Sequence, residues 1–393
     1  MVHSASPLFS FLDGLIGMRL VGLLLLLLPL PAHAFDTPAD MGPPRVYLCA
    51  RAAQAPVIDG VLDDAAWRDV AWTEPFTDIE GARRPAPAFA TTAAMRWDEQ
   101  YFYFAFRLEE PHLQASCRQR DSYIYQLDND IEIFMDPDGS NHLYAELELN
   151  ALNTAWDLLL IRPYRDGGPA VHAWDIAGLR TAVHLDGTLN DPSDQDRGWT
   201  VEVAMPWDVL GQMAGRAAPP ADGDIWRVNF SRVQWDFLPD PAGGYTKARD
   251  PETGRPLPEH NWVWSPQSLI AMHMPENWGE VMFVTEDQPH DRTAPFRASK
   301  EHRAIALSRQ LMRVYYAQRQ RHETHGAYTA DLTALELTYP ELAYPQLAYP
   351  ELEMSNLQLV AGTDFFRATL PTPVGVLTVD EQGRLTRTPL RKD

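Results

Sequence analysis

Two cysteines in 393 residues, Cys49 and Cys117, leave room for one disulfide at most. Neither lies in a CxxC or zinc-ligand pattern, so the pair is either one bridge between early strands or two buried thiols. Basic residues are scarce: 33 Lys and Arg against 54 Asp and Glu give a formal charge of −21. The deficit is local, because residues 35–284 hold 19 basic and 39 acidic side chains while residues 285–393 hold 13 and 14. An acidic body without a basic stripe argues against nucleic acid or an anionic membrane surface as partner, and leaves uncharged polymers or a bound cation. GxSxG, P-loop and HExxH motifs are missing, and His322-Glu323-Thr324-His325 has the wrong spacing for the last of these. No apolar run after residue 34 is long enough to span a bilayer, so no transmembrane anchor is expected.

Residues 1–34 read as an export signal. Arg19 precedes the leucine run Leu23 to Leu28, and Ala32-His33-Ala34 has the small-x-small form of a cleavage site. Met18 is an alternative start that would place Arg19 directly ahead of the apolar core. The expectation is a mature chain from about Phe35, secreted or in the periplasm or cell envelope. No cysteine follows the cleavage site, so a lipid anchor is not expected.

Between residues 45 and 284 period-two alternation dominates. Trp199, Val201, Val203 and Met205 share one face, Tyr101 to Leu108 reads as a strand covered on both sides, and Ile131 to Met135 and Tyr144 to Leu149 are further strands. Asp136-Pro137-Asp138-Gly139, Asp166-Gly167-Gly168-Pro169 and Pro239 to Gly244 supply turns. The pattern predicts an all-β, antiparallel β-sandwich. Residues 285–296 form a linker, and residues 297–390 a small α+β module: a helix over 298–323, with Ala304, Leu307, Leu311, Val314 and Gln318 on one stripe, and a hairpin from Phe365 to Val379. A Tyr-Pro repeat at Tyr339, Tyr344 and Tyr349 forbids a helix there. This module is the candidate for docking a protein or envelope partner.

All twelve tryptophans fall between Trp67 and Trp278. Most belong in a core, but indole faces also suit the C–H-rich faces of sugar rings. Trp156, Trp174, Trp235 and Trp264 stand beside polar residues and are the candidate platforms, with Arg232 a candidate for bridging to hydroxyls or pairing with the acidic excess. Asp128, Asp130 and Glu132 alternate along one strand, about 7 Å from one to the next. Paired acids at about 6.5–9.5 Å also serve inverting glycoside hydrolysis, so this face is the weak catalytic alternative, against a cation site or a wall for sugar hydroxyls. Asp136 and Asp138 read as the start of a calcium loop or as a hairpin turn, and Asp59 and Asp63 as metal ligands or helix caps.

Five stretches occur in a fixed order: Val57-Ile58-Asp59-Gly60 followed by Asp63 and Trp67; Trp97-Asp98-Glu99 followed by Tyr101-Phe102-Tyr103; Asp130 to Asp136; Gly198 to Glu202 followed by Pro206-Trp207; and Trp278 to Phe283. In this set residues 46–284 resemble the family 9 carbohydrate-binding modules. The resemblance implies a jelly-roll or immunoglobulin-like sandwich, sugar held between aromatic rings, structural calcium, and a role in carbohydrate catabolism. Glu132 matches a sugar-contacting carboxylate, and Tyr125 and Gln126 stand where the family places one of two sandwiching tryptophans. Ile270 to His273 stand roughly where it places the other. The expectation is therefore a non-catalytic protein recognising a plant-type or similar neutral polysaccharide or oligosaccharide. An O-glycosyl hydrolase and a redox or haem-binding sandwich are the alternatives.

Overall fold

The computed structural model describes residues 38, 42–215, 218–241, 243–286, 293–297, 299–335, 337 and 356–389. The expected export signal and the Tyr-Pro repeat lie outside the described residues. So does much of the linker, although its end, Thr293–Arg297, is helical.

The body's strands of four or more described residues are β1 (Val46–Ala50), β2 (Thr91–Trp97), β3 (Tyr101–Glu109), β4 (Asp130–Asp136), β5 (Tyr144–Asn150), β6 (Ala155–Leu160), β7 (Arg180–Asp186), β8 (Gly198–Pro206), β9 (Ile225–Gln234), β10 (His260–Val263) and β11 (Gly279–Val284). The larger sheet has nine strands in the order β1-β11-β9-β4-β5-β6 and then Ala170–Val171, with β10 and Thr77–Asp78 attached beside β9. The smaller sheet runs β2-β3-β8-β7. Strands β1 and β11 run parallel, whereas β4 pairs antiparallel with both β9 and β5. The expected all-β sandwich is the architecture observed.

Alternation explains where the core lies, because successive side chains of a strand point to opposite faces. Ile131, Ile133 and Met135 of β4, Ala145, Leu147 and Leu149 of β5, and Trp199, Val201, Val203 and Met205 of β8 all enter one buried cluster between the sheets. The opposite face of β3 buries Tyr103 and Ala105 with Trp67, so that strand is covered on both sides as its sequence predicted. Cys49 and Cys117 are free buried thiols. They belong to different clusters, one between the sheets and one on the outer face of the larger sheet.

The tail is richer than a helix and a hairpin. Helix Lys300–His325 packs with a four-stranded antiparallel sheet, β12 (Gln358–Ala361), β13 (Phe366–Thr372), β14 (Gly375–Asp380) and β15 (Leu385–Thr388). A lone hairpin offers too little apolar surface to hold a helix. The added strands complete a cluster in which Leu311, Val314 and Tyr315 meet Phe366, Leu370 and Val379. Ser299 caps the helix start by accepting from the His302 N–H at 3.1 Å. The module also sits on the sandwich: Arg165 bonds both Tyr316 and Glu276, Arg309 donates to the Glu276 carbonyl, and the Leu385 N–H donates to the Ser140 carbonyl.

A candidate ligand groove with a carboxyl floor

The outer face of the larger sheet is built from the other phase of the same strands. Opposite the core residues, β4 carries Asp130 and Glu132, and β5 carries Glu146, Glu148 and Asn150. The strand register pairs Glu132 with Glu148 and Asp130 with Asn150. One oxygen each of Asp130, Glu132 and Glu148 lies within 4.8 Å of the others. All three are buried, Asp130 at 0 %, Glu148 at 1 % and Glu132 at 6 % exposure. Both oxygens of Asp130 and Oε2 of Glu146 lack a hydrogen-bond donor. Glu148 accepts from the Tyr125 N–H at 3.2 Å.

Burial disfavours the charged form of a carboxyl, and neighbouring negative charge adds to it. Burial pushes Glu132 up to about 8. Burial first and the charge of Glu132 next raise Asp130 and Glu146 well above the ordinary carboxylate range, and Glu148 is raised by burial and then Asp130. Lys247 makes no ion pair with this floor, although Asp128 and Asp130 are among the charges that act on it. Its ammonium lies 3.1 Å above the Trp235 ring and donates to the Gln126 carbonyl at 2.6 Å.

Aromatic rings form the rim. Tyr123 and Tyr164 are 53 % and 51 % exposed, and Tyr125 is half-buried. The Tyr164 phenol is raised to about 12 by burial first and then by the charges of Glu146, Tyr125, Glu148 and Tyr123, and its ring meets His273 edge-on at 4.6 Å. Trp156 is the backing of this rim. It is 4 % exposed, lies nearly parallel to Tyr125 at 6.3 Å and to His172 at 5.7 Å, and takes Tyr123 edge-on at 4.9 Å. Trp235 is half-buried at the edge, its Nε1 donating to the Tyr125 carbonyl at 2.7 Å.

Several expected site residues are placed elsewhere. Trp264 is 2 % exposed in the main core, packed so closely on Gly279 that a Cβ there would meet the indole at 2.2 Å. Trp156 is likewise too buried to be an open platform, and Trp174 packs half-buried against the main core. Arg232 is in register with Ile131, hence on the inward phase. It is fully buried, donating to Glu110, Thr91 and Gln234, because a buried guanidinium needs its donors paired. Asp128 leaves the acidic trio: its oxygens accept from Ser116, Cys117 and Asn150. Asp130 and Glu132 converge with Glu148 to less than 4.8 Å, closer than the roughly 6.5–9.5 Å an inverting hydrolase uses.

Asp136 and Asp138 make a turn, accepting from the amides of Gly139, Asn141 and Ser140, with Arg227 beside Asp136. Asp59 caps the Val61 N–H, and Asp63 is exposed. None of these four belongs to a three-ligand acidic group among the described residues. The residues sequence reasoning missed are Glu146, Glu148, Tyr123 and Tyr164. The alternation Tyr144-Ala145-Glu146-Leu147-Glu148-Leu149-Asn150 already carried the signal for the first pair, because it sets both acids on one face opposite three apolar residues.

No curated protein matches the chain. Three solved structures are similar to it at low superposition quality. A family 9 carbohydrate binding module from Caldicellulosiruptor kristjanssonii in complex with cellotriose shares 17 % identity, with 63 % of this chain and 96 % of that one covered and a TM-score of 0.40. The same organism's module in complex with glucose shares 18 % identity over 62 % and 98 % of the two chains, with a TM-score of 0.40. A putative carbohydrate-binding protein from Bacteroides uniformis ATCC 8492 shares 14 % over 61 % and 100 %, with a TM-score of 0.43. The family described as carbohydrate family 9 binding domain-like matches residues 58–220, a stretch that holds the rim tyrosines, Trp156 and the whole carboxyl floor, while Trp235, Lys247 and Trp264 lie beyond it. The chain therefore contains a domain like the family 9 carbohydrate-binding domains.

Proposed function

We propose that the protein binds a neutral glycan on the outer face of the larger sheet, against the accessible tyrosines Tyr123, Tyr125 and Tyr164. One observation carries the reading: Tyr123, Tyr125 and Tyr164 leave ring surface accessible on the same part of the molecule as a cluster of buried acids, one of which, Glu148, accepts from the Tyr125 N–H. Apolar ring faces supply contact area, while the few convergent polar groups fix orientation, as in small-ligand sites generally. The family match over residues 58–220 points the same way. The export pattern at residues 1–34 supports a secreted or periplasmic protein serving carbohydrate catabolism.

Calorimetric titration with cello- and xylo-oligosaccharides tests the binding reading. Saturable heat is expected, falling at least tenfold in affinity in Tyr125→Ala and Tyr164→Ala, with folding intact by circular dichroism. Absence of heat and of any tryptophan fluorescence change with every neutral glycan tried overturns it.

A further inference from the structure

We propose that Asp130, Glu132 and Glu148 form a calcium site on the outer face of the larger sheet. Three oxygens within 4.8 Å of one another have the spread that ligands take around a cation bound at about 2.3–2.6 Å. The grouping is not a solvated acidic patch. Asp130 is fully buried with neither oxygen in a well-formed hydrogen bond, although the Val233 N–H acts on it, and Glu146, near Glu132, keeps a buried Oε2 without a hydrogen-bond donor, His273 Nε2 standing 4.0 Å away. A buried carboxylate without a donor is costly, and a bound cation is what would satisfy it. Among the described residues no Lys or Arg makes an ion pair with the trio; Lys247, whose ammonium lies over Trp235, feels Asp130 only at longer range, after Asp128 and Glu259.

The donor set selects the ion. All are hard carboxylate oxygens, with no sulfur or imidazole among them, which suits calcium or magnesium above zinc or copper. Magnesium retains several waters and near-octahedral geometry, whereas these oxygens are 0–6 % exposed on two paired strands, which favours the ion that sheds water readily. The other acidic trio, Asp121, Asp157 and Asp175, is different in kind, since Arg120 already bonds Asp157 and Asp175. The site needs no glycan above it. Only the further step, in which the ion also takes sugar hydroxyls, rests on the binding reading.

The test is calorimetric titration of chelator-stripped full-length protein with calcium chloride alone, at pH 7.5. One saturable site is expected, weakened at least tenfold in Asp130→Asn and in Glu148→Gln and unchanged in Asp175→Asn. Calcium binding that survives both floor variants, or disappears only in Asp175→Asn, overturns the proposal, as does no binding at all. Should the floor variants fail to fold, the wild-type pH series decides: affinity must fall at least tenfold from pH 7.5 to 5.5 as protons compete for the same oxygens, and a flat series overturns the site. Oligosaccharide titrations with and without chelator separate the two readings. Calcium binding without glycan binding sinks only the glycan reading, and chelator-resistant glycan binding with no calcium uptake sinks only the ion.

Discussion

The indole N–H of Trp67 donates to Glu202 Oε1 at 2.7 Å. The second oxygen of Glu202 accepts from the amides of Gly60 and Asp59 at 2.7 and 3.0 Å. One fully buried carboxylate on β8 thus fastens the whole segment from Asp59 to Trp67 across the smaller sheet. Gly60 has no freedom here: its φ is +87°, and a Cβ would lie 2.7 Å from the backbone of Val183 and His184. That anchor explains why Gly60 and Trp67 stand where they do.

Glu202→Ala is expected to destabilise the body by about 3 kcal/mol or more, because three N–H donors lose one acceptor at a site where burial makes each loss cost about 1–3 kcal/mol. Urea unfolding followed by tryptophan fluorescence measures it. A change below about 1 kcal/mol would show that water replaces the carboxylate there.

Trp264 and Tyr164 should separate core from rim. Trp264→Ala is expected to cost about 3–5 kcal/mol, the range for emptying a large aromatic from a packed core. Tyr164→Ala, with its ring 51 % exposed, should stay within about 1 kcal/mol while still weakening glycan binding. Thermal melts of the two variants, read beside oligosaccharide titrations, distinguish them.

That contrast also marks where the sequence stops being legible. Period-two alternation is a local property, so the strands and their inward faces, such as Trp199 to Met205, follow from it directly. Exposure at a given tryptophan is not local. Trp156 and Trp264 looked accessible because Asp157 and Ser265 stand next to them, yet in a strand the next residue points to the opposite face and says nothing about its neighbour. Asp157 indeed turns away to accept from the Ile176 N–H at 2.5 Å. The floor was half legible: Asp130 and Glu132 share a phase by sequence, but their convergence with Glu148 depends on the β4–β5 register. That Asp128 departs from them depends on Ser116 and Cys117 arriving from a distant loop.

Stability should fall as pH rises from 6.5 to 8 in chelator-treated protein. A carboxyl raised by folding, as Glu132 is to about 8, holds its proton more tightly when folded. Its contribution is complete below the unfolded value near 4.5 and is lost as pH climbs through the folded value. His273 and His302 run the other way: burial lowers them to about 3 and about 4, so their contribution is complete above the unfolded 6.5 and lost only on acidification. Lys247, lowered to about 8 by burial, adds stability only as pH rises above that. Between 6.5 and 8 the raised carboxyls dominate, with Asp136, pushed by burial to about 8, and Glu280, pushed by burial to about 7, acting in the same direction from outside the floor. Denaturation midpoints across this window should slope downward, and Glu132→Gln should flatten the slope. An upward slope would contradict proton-holding acids in the floor.

The tail module is expected to release from the sandwich when Arg165 is removed. Arg165 donates to Glu276 Oε2 at 3.0 Å and to the Tyr316 hydroxyl at 3.1 Å, while its neighbour Asp166 accepts from Tyr315 and Arg319. Glu276 is fully buried, and the guanidinium, with Tyr316, holds its carboxyl below the ordinary range despite that burial. Deleting one partner of such a pair leaves an uncompensated charge, at a cost of about 3–5 kcal/mol. Arg165→Leu should therefore loosen the seam beside helix Lys300–His325, at the edge of a cluster that Met274 of the sandwich shares with Leu311 and Tyr315 of the tail. Limited proteolysis reads this directly: the variant should be cut between residues 285 and 300 at protease levels the parent resists, releasing two protease-resistant fragments. Arg165→Leu combined with Glu276→Gln should recover part of the loss, because neutralising the stranded carboxylate removes most of the penalty that defines the prediction.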